Sequence, residues 1–160
     1  MIDTASLERV SAPGATVALA TFIAGMRKTP VPEQLQRVLQ DALTDAVSCG
    51  LFGLTTPACA ILQAYAVEQA GAPEASIWGG SGQMVSAGNA ALAAGTAIHG
   101  FDFDDHHRAK IHPGAAVIPA ALALAEKHHA DGATFLKAVA AGYETMVRVS
   151  LAANPSSSRM

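Results

Sequence analysis

Apolar residues recur along this chain at the spacing of one helix face. Leu35, Val38, Leu39, Ala42, Leu43, Ala46 and Val47 follow the i, i+3, i+4, i+7 rule and mark the clearest amphipathic helix. Pro32 suits its first turn and Glu33 its positive end, and Gly50 and Gly53 end it. Ahead of it, Thr16 can cap a helix that carries Val17, Leu19, Ala20, Ile23 and Ala24 and runs to Lys28. Pro30 and Pro32 break that helix. Residues 1–14 are a weakly specified start.

Further on, Thr55 or Thr56 opens a third helix with Pro57 in its first turn, and Gly71 stops it. Ala75 to Trp78 reads as a short extended segment. Gly79, Gly80 and Gly82 then turn the chain; they lack the lysine and spacing of a phosphate-binding loop. Val85 to Ile98 is a helix of small residues, apt for the centre of a bundle. Ala115 to His129 is helical, with Pro119 in its first turn or at a kink. Asp131 and Gly132 break the chain before a last helix from Thr134 to Ala152. No repeat, heptad or strand-like alternation interrupts this pattern. The expectation is an all-α helical bundle of about six or seven helices, with one long central loop.

Composition sharpens that picture. The 160 residues suit one domain able to bury a core. Hydrophobic residues make up 51%, aromatics 5% and charged residues 14%, so the helices must pack closely through small side chains. A net charge of −3 gives no footprint for nucleic acid or an anionic membrane. Cys49 and Cys59 have no metal-type spacing with His and read as buried thiols of a reducing compartment. No apolar run reaches the length of a membrane span, and Asp3 with no basic stretch argues against a signal peptide. A cytoplasmic location is expected.

Charge concentrates in one place. Residues 99–114 hold Asp102, Asp104, Asp105, His99, His106, His107, His112, Arg108 and Lys110, including four of the six histidines. Three chemistries suit such a segment. It can be a solvated loop. It can bind a divalent metal and serve a hydrolase, although no helical His-x-x-x-His or other strong metal spacing is present. It can also run metal-free acid–base chemistry on an anion, with imidazole moving a proton and cations holding carboxylates. Pro113 stiffens the chain after His112, and the following helix N-terminus offers N–H donors to an anion.

These residues also carry a resemblance. Asn-Ala-Ala-Leu-Ala-Ala-Gly-Thr-Ala-Ile-His at 89–99, Phe-Asp-Phe-Asp-Asp at 101–105 and His-Pro-Gly-Ala-Ala-Val-Ile-Pro-Ala-Ala-Leu-Ala-Leu-Ala-Glu at 112–126 are together similar to the N-terminal helical domain of the MmgE/PrpD family. Gly132, Leu136, the Ala-Ala-Gly-Tyr-Glu stretch ending at Glu144, Arg148, and Asp41 to Gly50 extend the likeness over residues 16–160. Family members include 2-methylcitrate dehydratase, cis-aconitate decarboxylase and iminodisuccinate epimerase. The resemblance implies cofactor-free lyase or epimerase chemistry on small di- or tricarboxylates, without a metal. It implies Asp102 and His112 as active-site positions; the chemistry of the segment itself adds His106, His107, Arg108 and Lys110 as candidate substrate contacts.

Dehydratase and decarboxylase members usually carry Thr or Ser where this chain has His106. The His107 to Gly114 form is closer to the epimerase-like branch. Family members are considerably longer, so the resemblance implies that residues 1–160 are part of the helical domain. The rest of that domain, a lid, further lysines and a second active-site histidine would lie beyond Met160, and Ser156 to Met160 looks like the start of a further family motif. It also implies a homodimer or a complementing chain as partner. The contrasting expectation is a non-catalytic helical fragment whose uncovered apolar faces bind another chain.

Overall fold

The computed structural model describes residues 14–157 apart from Ala70 and Ser81, and side chains as far as Ala153. The expected weak start over 1–13 and the tail at 158–160 lie outside the described residues. Among the described residues there are six helices: α1 Ala15–Met26, α2 Glu33–Gly53, α3 Pro57–Glu68, α4 Ala87–Ile98, α5 Pro113–His128 and α6 Gly132–Ser157. Strands β1 Ala75–Ser76 and β2 Met84–Val85 form a short antiparallel pair with Ala75 opposite Val85. The all-α reading holds.

Helix α4 is the hub. It buries Ala87, Ala90, Ala93, Ala94, Ala97 and Ile98, and α2, α3 and α5 all pack on it. Alanine has almost no side chain to hold neighbours apart, so three helices reach one axis. Gly53 of α2 lies against the backbone of Ala97, where a Cβ would fall inside the carbonyl group. Gly95 of α4 lies against the carbonyl of Ala115 in α5, and a Cβ there would sit 2.7 Å from that oxygen. Pro119, four residues on, has no N–H to donate to that carbonyl, which turns outward to α4 instead. The apolar core divides around α4. Ala66, Ile77, Val85 and Ala123 fill one part; Leu39, Cys49, Ile98, Ile118 and Val139 fill the other.

Several boundaries differ from the sequence reading. Helix α2 passes through Gly50, which packs against Trp78, and ends at Gly53. Val85 is not helical: it pairs with Ala75, and α4 begins at Ala87. A two-residue ladder is too short to show alternation. The Glu126 carboxylate pins it to α5, accepting from the Ser76 N–H at 2.6 Å and the Ser76 hydroxyl at 2.9 Å. The glycine turn between the strands is present, with Gly79 and Gly82 in the left-handed region. Pro113, not Pro119, occupies the first turn of α5, and the helix runs on through Pro119. Helix α6 starts at Gly132, because the Asp131 carboxylate accepts from the Thr134 N–H at 2.7 Å and caps it. It continues past Ala152 to Ser157. Thr56 caps α3 as expected, accepting from the Cys59 N–H.

Among the described residues, no single helix is long and apolar enough to cross a membrane. Helices α2 and α3 together reach that length and composition but meet at a 93° bend.

Candidate active site

The loop between α4 and α5 hangs from two imidazoles. His99 is the residue that ends α4, and His112 is the residue that precedes α5. Because α4 and α5 pack side by side, the two rings meet edge to face with centroids 4.8 Å apart. Two carboxylates flank them. Asp104 is buried, and its Oδ1 accepts a hydrogen bond from His99 Nδ1 at 2.8 Å. The same oxygen lies 3.3 Å from His112 Nδ1, within ion-pair reach but not aligned as a hydrogen bond. Asp102 stands outside the pair with its side chain 78% exposed. Its Oδ1 is 3.5 Å from His112 Nε2 and 3.8 Å from His99 Nε2. Asp102 has a φ of 55°, a left-handed conformation that aspartate tolerates better than most residues.

Asp105 has a different task. Its Oδ1 accepts from the Gly114 N–H at 2.8 Å, its Oδ2 accepts from the Tyr143 hydroxyl at 2.7 Å, and its own N–H donates to Asp45 Oδ2 at 3.1 Å. Thus the Asp105 carboxylate ties the loop to α5 and α6, and its backbone N–H ties it to α2. Gly114 is required here, since a Cβ would meet Asp105 Oδ1 at 2.5 Å. The expectation that the α5 N-terminus offers its N–H groups to a substrate anion is corrected at Gly114: the anion there is the chain's own Asp105.

The remaining candidates divide. Lys110 lines a cleft of about 640 Å³ together with His99, His112, Thr96 and Met146. His106 is exposed, with its ring 5.3 Å from that of His112. His107 sits in a tight turn. Its Nδ1 accepts from the Ala109 N–H at 3.1 Å, and its backbone pairs with Ile111. Its ring lines a separate cavity of about 250 Å³ beside Leu39 and Tyr143. Ser150 of α6 fastens the turn by donating to the Ala109 carbonyl at 2.7 Å. Lys110 holds a left-handed conformation at its end, with φ 59°. Arg108 is exposed and is not among the residues lining the cleft.

Burial raises the Tyr143 hydroxyl well above the ordinary phenol range, with further contributions from its bond to Asp105 and the charges of Asp105, Asp45 and Asp104. Burial likewise pushes up the Cys49 thiol, aided by Asp45, Asp104 and Asp105. Cys49 and Cys59 are buried free thiols. Raising the Tyr143 pKa on folding means that the unfolded chain releases this proton first as pH rises. Stability is therefore expected to fall with pH above about 10, the ordinary phenol value. Tyr143→Phe removes that dependence and costs about 1.5–3 kcal/mol at neutral pH, the worth of a hydrogen bond to a charged group. Urea unfolding at neutral and alkaline pH checks both effects.

His99, Asp102, Asp104 and His112 are also of the right type to ligate a divalent ion, with one atom from each lying within 4.8 Å of the others. Ligands on a tetrahedral zinc at about 2.1 Å sit about 3.4 Å apart, so the widest separations in this set would have to contract while the 2.8 Å approach of His99 to Asp104 lengthened. It would also have to give up the direct bond between His99 and Asp104. The geometry as it stands is that of imidazoles paired with carboxylates.

A sequence profile described as the MmgE/PrpD N-terminal domain matches residues 17–160. The chain belongs to the MmgE/PrpD family. Human cis-aconitate decarboxylase is 30% identical over 111 residues, and the mouse enzyme of the same name is 26% identical over 111 residues. In both cases the match takes in 69% of this chain and 23% of the relative. The chain thus spans about a quarter of the length of these MmgE/PrpD relatives.

Sequence reasoning placed His112, Asp102, His106 and Lys110 in one segment, and the fold sets all four at or beside the cleft. It read His99, Asp104 and Asp105 only as members of the segment, open to metal binding or acid–base chemistry, and gave no role to Asp45 or Tyr143. For His99 and Asp104 the signal was proximity to His112 in the segment. For Asp45 and Tyr143 the contacts span 60 and 38 residues, which no local pattern reveals.

Proposed function

We propose that this MmgE/PrpD chain contributes an acid–base site for small di- or tricarboxylates. The observation that supports the reading best is His112, with Nε2 3.5 Å from Asp102, in a cleft that Lys110 also lines. In the proposed step His112 takes the proton from a carbon next to a substrate carboxylate. The C–H electron pair moves into an enolate-like anion, and the Lys110 ammonium stabilises the charge that develops. The pair then expels a group from the neighbouring carbon, or takes a proton on the opposite face from a second acid. The first outcome is a lyase reaction by elimination; the printed name of the matched relatives favours the lyase class in its decarboxylating form, where carbon dioxide leaves and a proton is delivered to the carbon it left. The second is epimerisation. It is favoured by His106, which sets a further imidazole beside His112. No bound cofactor is needed for either step.

Arg108 and His107 enter this reading less directly, as an exposed charge on the same loop and as a brace of the turn. The reading includes association with a second copy or a complementing chain. The half-exposed ring cluster of Phe52, Phe101 and Phe103 supports it, with Phe52 and Phe101 centroids 4.7 Å apart. Calorimetry with cis-aconitate, citrate and acetate tests the substrate class. A dissociation constant of about 1 mM is expected for the tricarboxylates, about tenfold weaker in Lys110→Ala, and no binding of acetate. Equal affinity for acetate, or an unchanged affinity in Lys110→Ala, would overturn the assignment.

A further inference from the structure

Among the described residues, two buried atoms beside the cleft lack hydrogen-bond partners: Asp104 Oδ2, an acceptor, and His112 Nδ1, a donor or an acceptor according to where the ring carries its proton. Each bears the full desolvation penalty until it is paired. They belong to neighbouring groups, since the other Asp104 oxygen is already 3.3 Å from that nitrogen. The terminal torsion of an aspartate is broad, so the carboxylate can turn to give one oxygen to each ring. An ionised carboxylate only accepts hydrogen bonds. His99 must then carry its proton on Nδ1, which faces Asp104 at 2.8 Å, and the same requirement falls on His112. With both Nδ1–H groups directed inward, the two Nε2 atoms face the exposed Asp102 carboxylate at 3.8 and 3.5 Å, neither contact a hydrogen bond, so Asp102, which solvent can satisfy, does not require a proton on either Nε2.

We infer that Asp104 is a positioning residue that holds His112, together with His99, in the Nδ1–H form, leaving His112 Nε2 unprotonated to take the substrate proton. The inference rests on the reading of His112 as the group that moves this proton. Asp104 touches no substrate in this account; it acts through the ring. Its effect is to choose which nitrogen is basic. His107 is a control built into the same loop. Its Nδ1 accepts from the Ala109 N–H, so its proton must sit on Nε2.

Long-range proton–nitrogen correlation of the imidazoles in the 160-residue chain, at about pH 8.5 and above the ordinary imidazole range, reads each ring's protonated nitrogen directly. His99 and His112 are expected as Nδ1–H and His107 as Nε2–H. In Asp104→Asn the new amide can donate to Nδ1, and the His112 tautomer ratio is expected to move about tenfold toward Nε2–H, the effect of losing one bond to a charged group. A merely structural residue would change stability without selecting a nitrogen. The wild-type spectrum stands alone if the variant does not fold. A proton on His112 Nε2 in the wild type would overturn the inference. An unchanged ratio in folded Asp104→Asn would do the same, as would His112 signals that move on adding a chelator. The polycarboxylate reading fails by a separate result, the calorimetry, and neither outcome entails the other.

Discussion

His112→Ala is expected to lower kcat on a di- or tricarboxylate by about 10²–10⁴-fold in the assembly that turns it over, the usual worth of a positioned acid–base group. His128→Ala is expected to leave kcat within about twofold. The contrast follows from place. His112 precedes α5, lies between two carboxylates and lines the cleft. His128 is exposed in the last turn of the same helix, about 24 Å away by helix rise. The chain by itself is expected to turn over well below the roughly 1 per second of an ordinary enzyme. Its cleft carries one lining cation, Lys110, where a developing enolate needs a clamp and exclusion of water. Steady-state kinetics on both variants separate the cases; equal losses would remove His112 from the mechanism.

Gly53→Ala is expected to lower Tm by about 6–12 °C, through overpacking that costs about 3 kcal/mol. The new methyl group would enter the backbone of Ala97, with the carbonyl carbon only 2.7 Å away. Neither helix can yield alone. Ala97 is buried at the α4 seam with α2, and α4 is also held by α3 and α5. The site feels the shift because His99 ends α4. Gly88→Ala is the matching control. Its Cβ would meet nothing within 4 Å, and as the second residue of α4 it lies in the first turn, where alanine is expected to change stability by less than about 1 kcal/mol. Thermal melts by circular dichroism compare the two. Similar Tm values would mean that α2 and α4 do not pack at this separation.

Helical spacing made most of the fold legible. Leu35 to Val47 predicted α2, and Thr56 with Pro57 fixed the start of α3. The small-residue run before His99 was read as a central helix, and α4 is central because alanine and glycine let three helices reach it. Misread boundaries lie where tertiary contacts override local signals. Gly50 is a glycine for packing and not as a stop: it lies within α2, and Trp78 and Ile98 take the space a side chain would need. Val85 joins Ala75 in a ladder whose partner lies across a turn. Pro119 lies inside α5, and the Ala115 carbonyl it cannot pair faces Gly95 of α4, where a side chain would collide with it.

The site was legible as a segment but not as an arrangement. Three aspartates within four residues look alike in sequence. The fold gives them three environments: Asp102 exposed, Asp104 buried under two imidazoles, and Asp105 tied to Gly114 and Tyr143. Those differences come from the closeness of α4 to α5 and from α6 behind them, which no local spacing records.

Backbone and imidazole chemical-shift mapping during titration with cis-aconitate tests the central claim most directly. The account predicts that shifts concentrate at Thr96, His99, Lys110, Ile111 and His112, with His128 and His129 unmoved. Shifts centred instead on the apolar cavity between α1, α2 and α6, around Phe22, Met26 and Leu35, would contradict it. So would saturation of the ligand with no change at His112.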